Sequence, residues 1–185
     1  MPLPGCVPAA GTIARMTTTE RAMPPLQADE RTSLESWLDF YRATLADKCE
    51  GLSDEQVRTA SVPPSALTLL GLLQHMAEVE RNWFRRVLVG EHVPGIFDPA
   101  ADVSGPDGGF DVSEGATLEG ARATWAEEVT YARANCAGRG LDTTSPFMGG
   151  QVALRWIYSH MIAEYARHAG HADLIRERID GATGV

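Results

Sequence analysis

Cysteine is scarce in this chain: Cys6, Cys49 and Cys136 are 3 in 185 residues, and no two stand at a C-x-x-C spacing. An odd count without paired spacing excludes a disulfide framework and a zinc knuckle, and makes a reducing cytoplasm the simplest setting. Cys49 and Cys136 fall near expected helix ends, where free cysteine ordinarily serves as a small apolar filler. Positive charge is also short. Lys and Arg number 16 against 25 Asp and Glu, for a formal net charge of −9, so the basic surface that nucleic acid requires is missing. The densest basic group, Arg81, Arg85 and Arg86, lies among acids on an amphipathic stretch.

Long apolar runs and strand-like alternation are absent as well, which argues against a membrane helix and against a sheet. Residues 1–15 are rich in Pro, Gly and Ala, with neither a cationic start nor an apolar block. Leu3-Pro4-Gly5-Cys6 superficially looks like a lipoprotein cleavage box, but nothing that must precede such a box is there. Residues 1–27 are therefore expected to form a flexible leader, with Met16 a candidate for the true start. Residues 28–185 are expected to form one domain, and a hydrophobic fraction of 44% with 22% charged residues suits an ordinary globular core.

What the chain does contain is helical periodicity. Leu34, Trp37, Leu38, Tyr41 and Leu45 make one apolar stripe over residues 28–50, and Gly51 ends it. Ser53-Asp54-Glu55-Gln56 has the form of a capping box and starts a short helical turn. Thr68 suits the N-cap of a second helix running to about residue 89, with Leu69, Leu72, Leu73, Met76, Val79, Trp83 and Val87 buried. Residues 91–115, rich in Gly, Pro and Asp, form a connection long enough to be a crossover or a cover over a site. Thr117 opens a third helix to about residue 137, and a fourth runs from about Gln151 to Ile179 with Gly181 as its stop. The expected fold is all-α, a four-helix bundle with a long connection between helices 2 and 3.

The fourth helix carries polar residues where core is due. Leu154, Ile157, Met161 and Ile175 share one face, and Glu164, His168 and His171 interrupt it, with His160 beside them. A buried carboxylate is costly unless paired or bound to a cation. Glu164 and His168 lie one turn apart, so both can converge on one ion. His75, at the edge of the second helix's apolar arc, is the natural third ligand, whereas His92 lies in a polar loop. The alternative is a hydrogen-bonded Glu164–His168 pair and a separately satisfied His75. One divalent cation explains the whole group at once. His171, His160 and Glu80 are candidates for supporting or catalytic roles, with Glu80 placed to hydrogen-bond a metal histidine. Arg167 and Arg178 suit either an anionic substrate or a solvated face.

The stretch Glu164-Tyr-Ala-Arg-His168-Ala-Gly-His171, with Leu72-Leu73-Gln74-His75-Met76-Ala77-Glu78-Val79-Glu80-Arg81, resembles the DinB-like, or YfiT-like, metalloenzyme superfamily. Members are four-helix bundles with a histidine on the second helix and two ligands on the last, usually H-x-x-x-H followed by R-G-Q. Here Glu164 stands for the first His, and His171 for the Gln. That pattern is similar to the mycothiol-dependent branch, which includes maleylpyruvate isomerase and thiol S-transferases. The final Glu-Arg-Ile-Asp-Gly-Ala-Thr-Gly is similar to an actinobacterial DinB-like family of unknown function. The resemblance spans about residues 28–184; the extra C-terminal domain of the maleylpyruvate isomerases is not matched, so their substrate is not carried over.

Two imidazoles and a carboxylate suit zinc with an open coordination position, and also nickel or iron. The resemblance implies a low-molecular-weight thiol of the mycothiol type, activated as thiolate by the metal and transferred to a small electrophile. It also implies a homodimer. A hydrolase using metal-activated water, and a non-catalytic metal-stabilised stress or sensor bundle, are the alternatives. Trp37, Trp83, Trp125 and Trp156 serve either core or interface.

Overall fold

A computed structural model describes residues 21–97 and 108–183. Most of the expected leader, with Cys6 and Met16, and part of the long connection lie outside the described residues. The structure is mostly helical: α1 (Glu30–Lys48), a one-turn α2 (Asp54–Val57), α3 (Leu69–Glu80) continuing as a π-helical segment (Arg81–Val87), α4 (Leu118–Cys136) and α5 (Leu154–Asp180). None of these helices is long and apolar enough to cross a membrane.

Side-chain caps start α1, α2, α3 and α4 close to where the sequence suggests. Asp29, Thr68 and Thr117 each accept a hydrogen bond from a first-turn N–H, and Ser53 with Gln56 forms the reciprocal capping box. α1 packs along α5, while α3 packs on α4 and α5. The stripes read from the sequence are the surfaces that meet: Leu38, Leu45, Leu72, Met76, Val79, Leu154, Ile157 and Met161 are almost wholly buried in one cluster. Cys49 and Cys136 are free thiols within it. Trp37 is an exception, since it lies partly exposed against Phe40 and Tyr41. Two cations on the π-helical segment are paired: Arg81 and Arg85 both reach the buried Glu128, and Arg85 also grips Glu91 at 2.7 Å.

The mostly helical expectation is borne out, with two departures in detail. A β-hairpin, β1 (Thr144–Phe147) and β2 (Gly150–Ala153), occupies the ground before α5, which therefore begins at Leu154 instead of Gln151. Its strands are too short to show alternation. Its turn, Met148-Gly149, puts both central residues at positive φ (47° and 75°), as a tight hairpin turn demands. Ser145 Oγ donates to the Leu88 carbonyl at 2.6 Å and clamps the hairpin to the end of the π-helical segment. The second departure is that segment itself. Leu88 N–H donates to the Trp83 carbonyl five residues back, so the helix is widened there and its later side chains are rotated from where uniform α-helical winding would aim them.

Candidate metal centre

α3 and α5 bring His75, Glu164 and His168 together, and each offers a ligand atom within 4.8 Å of the others. Glu164 Oε2 and His168 Nε2, one turn apart on α5, are 3.5 Å from one another. Ligands about 2.1 Å from a tetrahedral ion stand roughly 3.4 Å apart. The α5 pair thus already has that spacing, and the more distant atoms close on one ion by a small shift. Two nitrogens and one oxygen are a donor set suited to zinc and neighbouring divalent metals. The residues present fit such an ion.

The surrounding hydrogen bonds prepare the imidazoles. His75 Nδ1 is 2.9 Å from the Gly108 carbonyl. A carbonyl only accepts, so Nδ1 carries the proton and Nε2 keeps its lone pair. Phe110 stacks on the same ring at 4.0 Å, and His168 meets it edge-on at 4.7 Å. On α5, His168 Nδ1 lies 3.3 Å from His171 Nδ1. When His168 Nε2 ligates, its Nδ1–H points at His171, the partner that a metal histidine ordinarily has. Burial, and then the neighbouring His75, His171 and Arg167, push the His168 imidazole down to about 4. It is neutral, the form that ligates. Glu164 uses its other oxygen to meet Arg167 at 3.2 Å, so Arg167 orients the carboxylate.

Other residues singled out from the sequence fall elsewhere. His160 lies one turn from Glu164, stacked on Trp156 and against Trp83, and burial lowers its pKa. His92 and Arg178 are exposed. Glu80 is a correction: it is fully buried, but Arg42 binds both of its oxygens (2.8 and 2.7 Å) and the Tyr165 hydroxyl donates to it at 2.7 Å. Among the described residues its hydrogen bonds go to Arg42 and Tyr165, not to a metal histidine. Five residues of α3, about 1.4 turns, send Glu80 to a different side of the helix from His75.

Sequence reasoning missed how the long connection is tied to the site. At one end, Ile96 and Phe97 donate their backbone N–H groups to Glu78 Oε2 (2.7 and 3.0 Å). At the other, Gly109 lies so close to α3 that a Cβ there would sit 2.7 Å from His75 N and 2.8 Å from its Cα. The Gly-Gly-Phe run at residues 108–110 was the available signal: small residues where backbone approaches backbone, then a ring to cover the imidazole.

A family model described as mycothiol-S-transferase matches residues 33–181, a span that includes His75, Glu164 and His168. No curated protein matches the chain.

Proposed function

The chain belongs to the mycothiol-S-transferase family, and on that premise we propose that it is a metal-dependent transferase that joins a mycothiol-type thiol to a small electrophile. The observation that carries the reading is the convergence of His75, Glu164 and His168 from two helices, with both imidazoles already held by partners at Nδ1. We read residues 28–185 as one DinB-like four-helix bundle built to hold that centre.

A divalent ion at this centre, zinc on the donor set, supplies Lewis acidity that lets a thiol lose its proton at neutral pH. The protein's own residues do the rest. His75 and His168 present Nε2 because Gly108 and His171 engage their other nitrogens. Glu164 contributes one negative charge, which leaves a divalent site with net positive charge and an attraction for an anionic sulfur. His171, half-buried, accepts the His168 Nδ1–H and so keeps that ring in the tautomer that offers Nε2. Phe110 over His75 keeps water from one side of the centre.

Elemental analysis of untagged protein, wild type beside Glu164→Ala and His168→Ala, tests the centre. Near-stoichiometric metal in the wild type and its loss in both variants is the expected result; retention in both refutes the ligand set. Incubation of metal-loaded protein with mycothiol and a reactive electrophile tests the chemistry. No metal-dependent adduct, together with turnover of ester or amide substrates without thiol, would establish a hydrolase instead. Metal that stabilises the fold while neither reaction occurs would establish a structural site.

A further inference from the structure

We propose that Trp156, Trp83 and His160 form a subsite that binds a carbohydrate ring of the thiol co-substrate. The inference rests on the thiol reading above and adds what recognises the part of the co-substrate remote from sulfur. His168, Glu164, His160 and Trp156 are spaced by four residues, so they make one row along α5. The row climbs from buried His168 to Trp156, which is 48% exposed and lies about 12 Å along the helix from Glu164. A thiol held at the metal centre and running along this row therefore brings its far end to Trp156.

Three rings are assembled there. Trp156 stacks on His160 in nearly parallel planes (5.0 Å, 8°), and Trp83 leans on both, 5.3 Å from Trp156 and 4.5 Å from His160. Trp83 stands in the π-helical segment, and the altered winding there determines the direction in which it is presented to α5. Its ring is 5% exposed, yet its indole Nε1–H is buried with no hydrogen-bond acceptor among the described residues. A buried indole N–H ordinarily has one. On the other flank Phe147 of the hairpin touches Trp83 at 5.0 Å.

A pyranose or cyclitol ring matches this arrangement. One face presents C–H groups that stack on an exposed indole, while its rim of hydroxyls needs donors and acceptors. The half-buried His160, its ring against Trp156, offers its nitrogens to that rim. A core role for the cluster does not account for an indole half open to solvent, packed flat on an ionisable ring, beside an unsatisfied donor.

The test uses metal-loaded full-length protein, three probes and two variants. The probes are mycothiol, the sugar-free thiol N-acetylcysteine, and the thiol-free glucosaminyl-inositol. The variants are Trp156→Ala, at an exposed position that leaves the core intact, and Trp156→Phe. In the wild type, saturation-transfer NMR should show glucosaminyl-inositol bound through its ring C–H protons, and kcat/KM should favour mycothiol over N-acetylcysteine at least tenfold. Trp156→Ala should abolish the NMR signal and that preference through KM, with N-acetylcysteine turnover unchanged; Trp156→Phe should keep most of both. Mycothiol turnover without glucosaminyl-inositol binding overturns the subsite, as does an equal loss for both thiols or a KM change confined to an aromatic electrophile. Glucosaminyl-inositol binding that depends on Trp156, with no thiol consumed, upholds the subsite and refutes the transferase reading. Absence of both binding and turnover refutes both.

Discussion

Replacing Gly109 by alanine should weaken metal binding although residue 109 offers no ligand. Gly109 has φ +97°, and an added Cβ would lie 2.7 to 2.9 Å from three backbone atoms of Gln74 and His75. Ordinary carbon contacts begin near 3.5 Å, so the loop must retreat from α3 by about 0.7 Å or more. The helix cannot yield, because those atoms belong to its hydrogen-bonded backbone in the core. The same retreat stretches the 2.9 Å contact between His75 Nδ1 and the Gly108 carbonyl beyond about 3.5 Å, where it ceases to be a hydrogen bond. Loss of such an outer partner lowers metal affinity by about 10- to 100-fold. The strained backbone adds about 1–2 kcal/mol of destabilisation, much of which undocking of the loop relieves. Competition against a chromophoric chelator would measure the affinity, and urea unfolding of the metal-free protein the stability. Gly115→Ala, in the same connection but with open space around it, is the control and should change neither. A Gly109→Ala protein with wild-type metal affinity would falsify the claim that the loop holds His75 in its ligating form.

Three further outcomes follow from the same geometry. Arg42→Ala strands the buried Glu80 carboxylate and should cost about 3–5 kcal/mol in urea unfolding, whereas Arg42→Met with Glu80→Leu should recover most of it; equal instability of the single and double variants would refute this. The metal-free protein should lose stability as pH falls from 6.5 toward 4. His168 has its folded-state pKa depressed from 6.5 to about 4, so in that window the unfolded chain binds the extra proton, and the contribution is fully present only above pH 6.5. His168→Gln should flatten the profile there, and parallel curves for the two proteins would contradict the assignment. Finally, burial pushes the Cys49 thiol up to about 12, so native protein at pH 8 should leave Cys49 unalkylated by iodoacetamide while urea exposes it; rapid native labelling would show that α1 frays at its end.

Much of this molecule is legible in one dimension because helices obey local rules. Thr68, Thr117 and the Ser53–Gln56 box announce helix starts through contacts spanning three residues, and apolar spacing identifies the buried faces. Glu164 and His168 were readable for the same reason, since a four-residue interval fixes their proximity before any tertiary contact exists. Their partnership with His75 was an inference from polar residues misplaced in apolar stripes, and folding supplies the distance that makes it geometry.

The rest depended on neighbours far apart in the chain. Glu80 resembled a site residue by its place in the stripe, but Arg42, 38 residues earlier, claims it. The hairpin owes its place to Ser145 gripping the Leu88 carbonyl, 57 residues back, and the π-helical winding of Arg81–Val87 is a departure the apolar spacing did not announce. Sequence by itself determined which residues are polar in the wrong place and which pair shares a helical turn, because those are properties of a regular winding. Only the tertiary structure decided which nitrogen of His75 carries the proton, which carboxylate is already paired, and which rings stand beside one another. Each of those depends on a backbone or side chain arriving from another part of the chain.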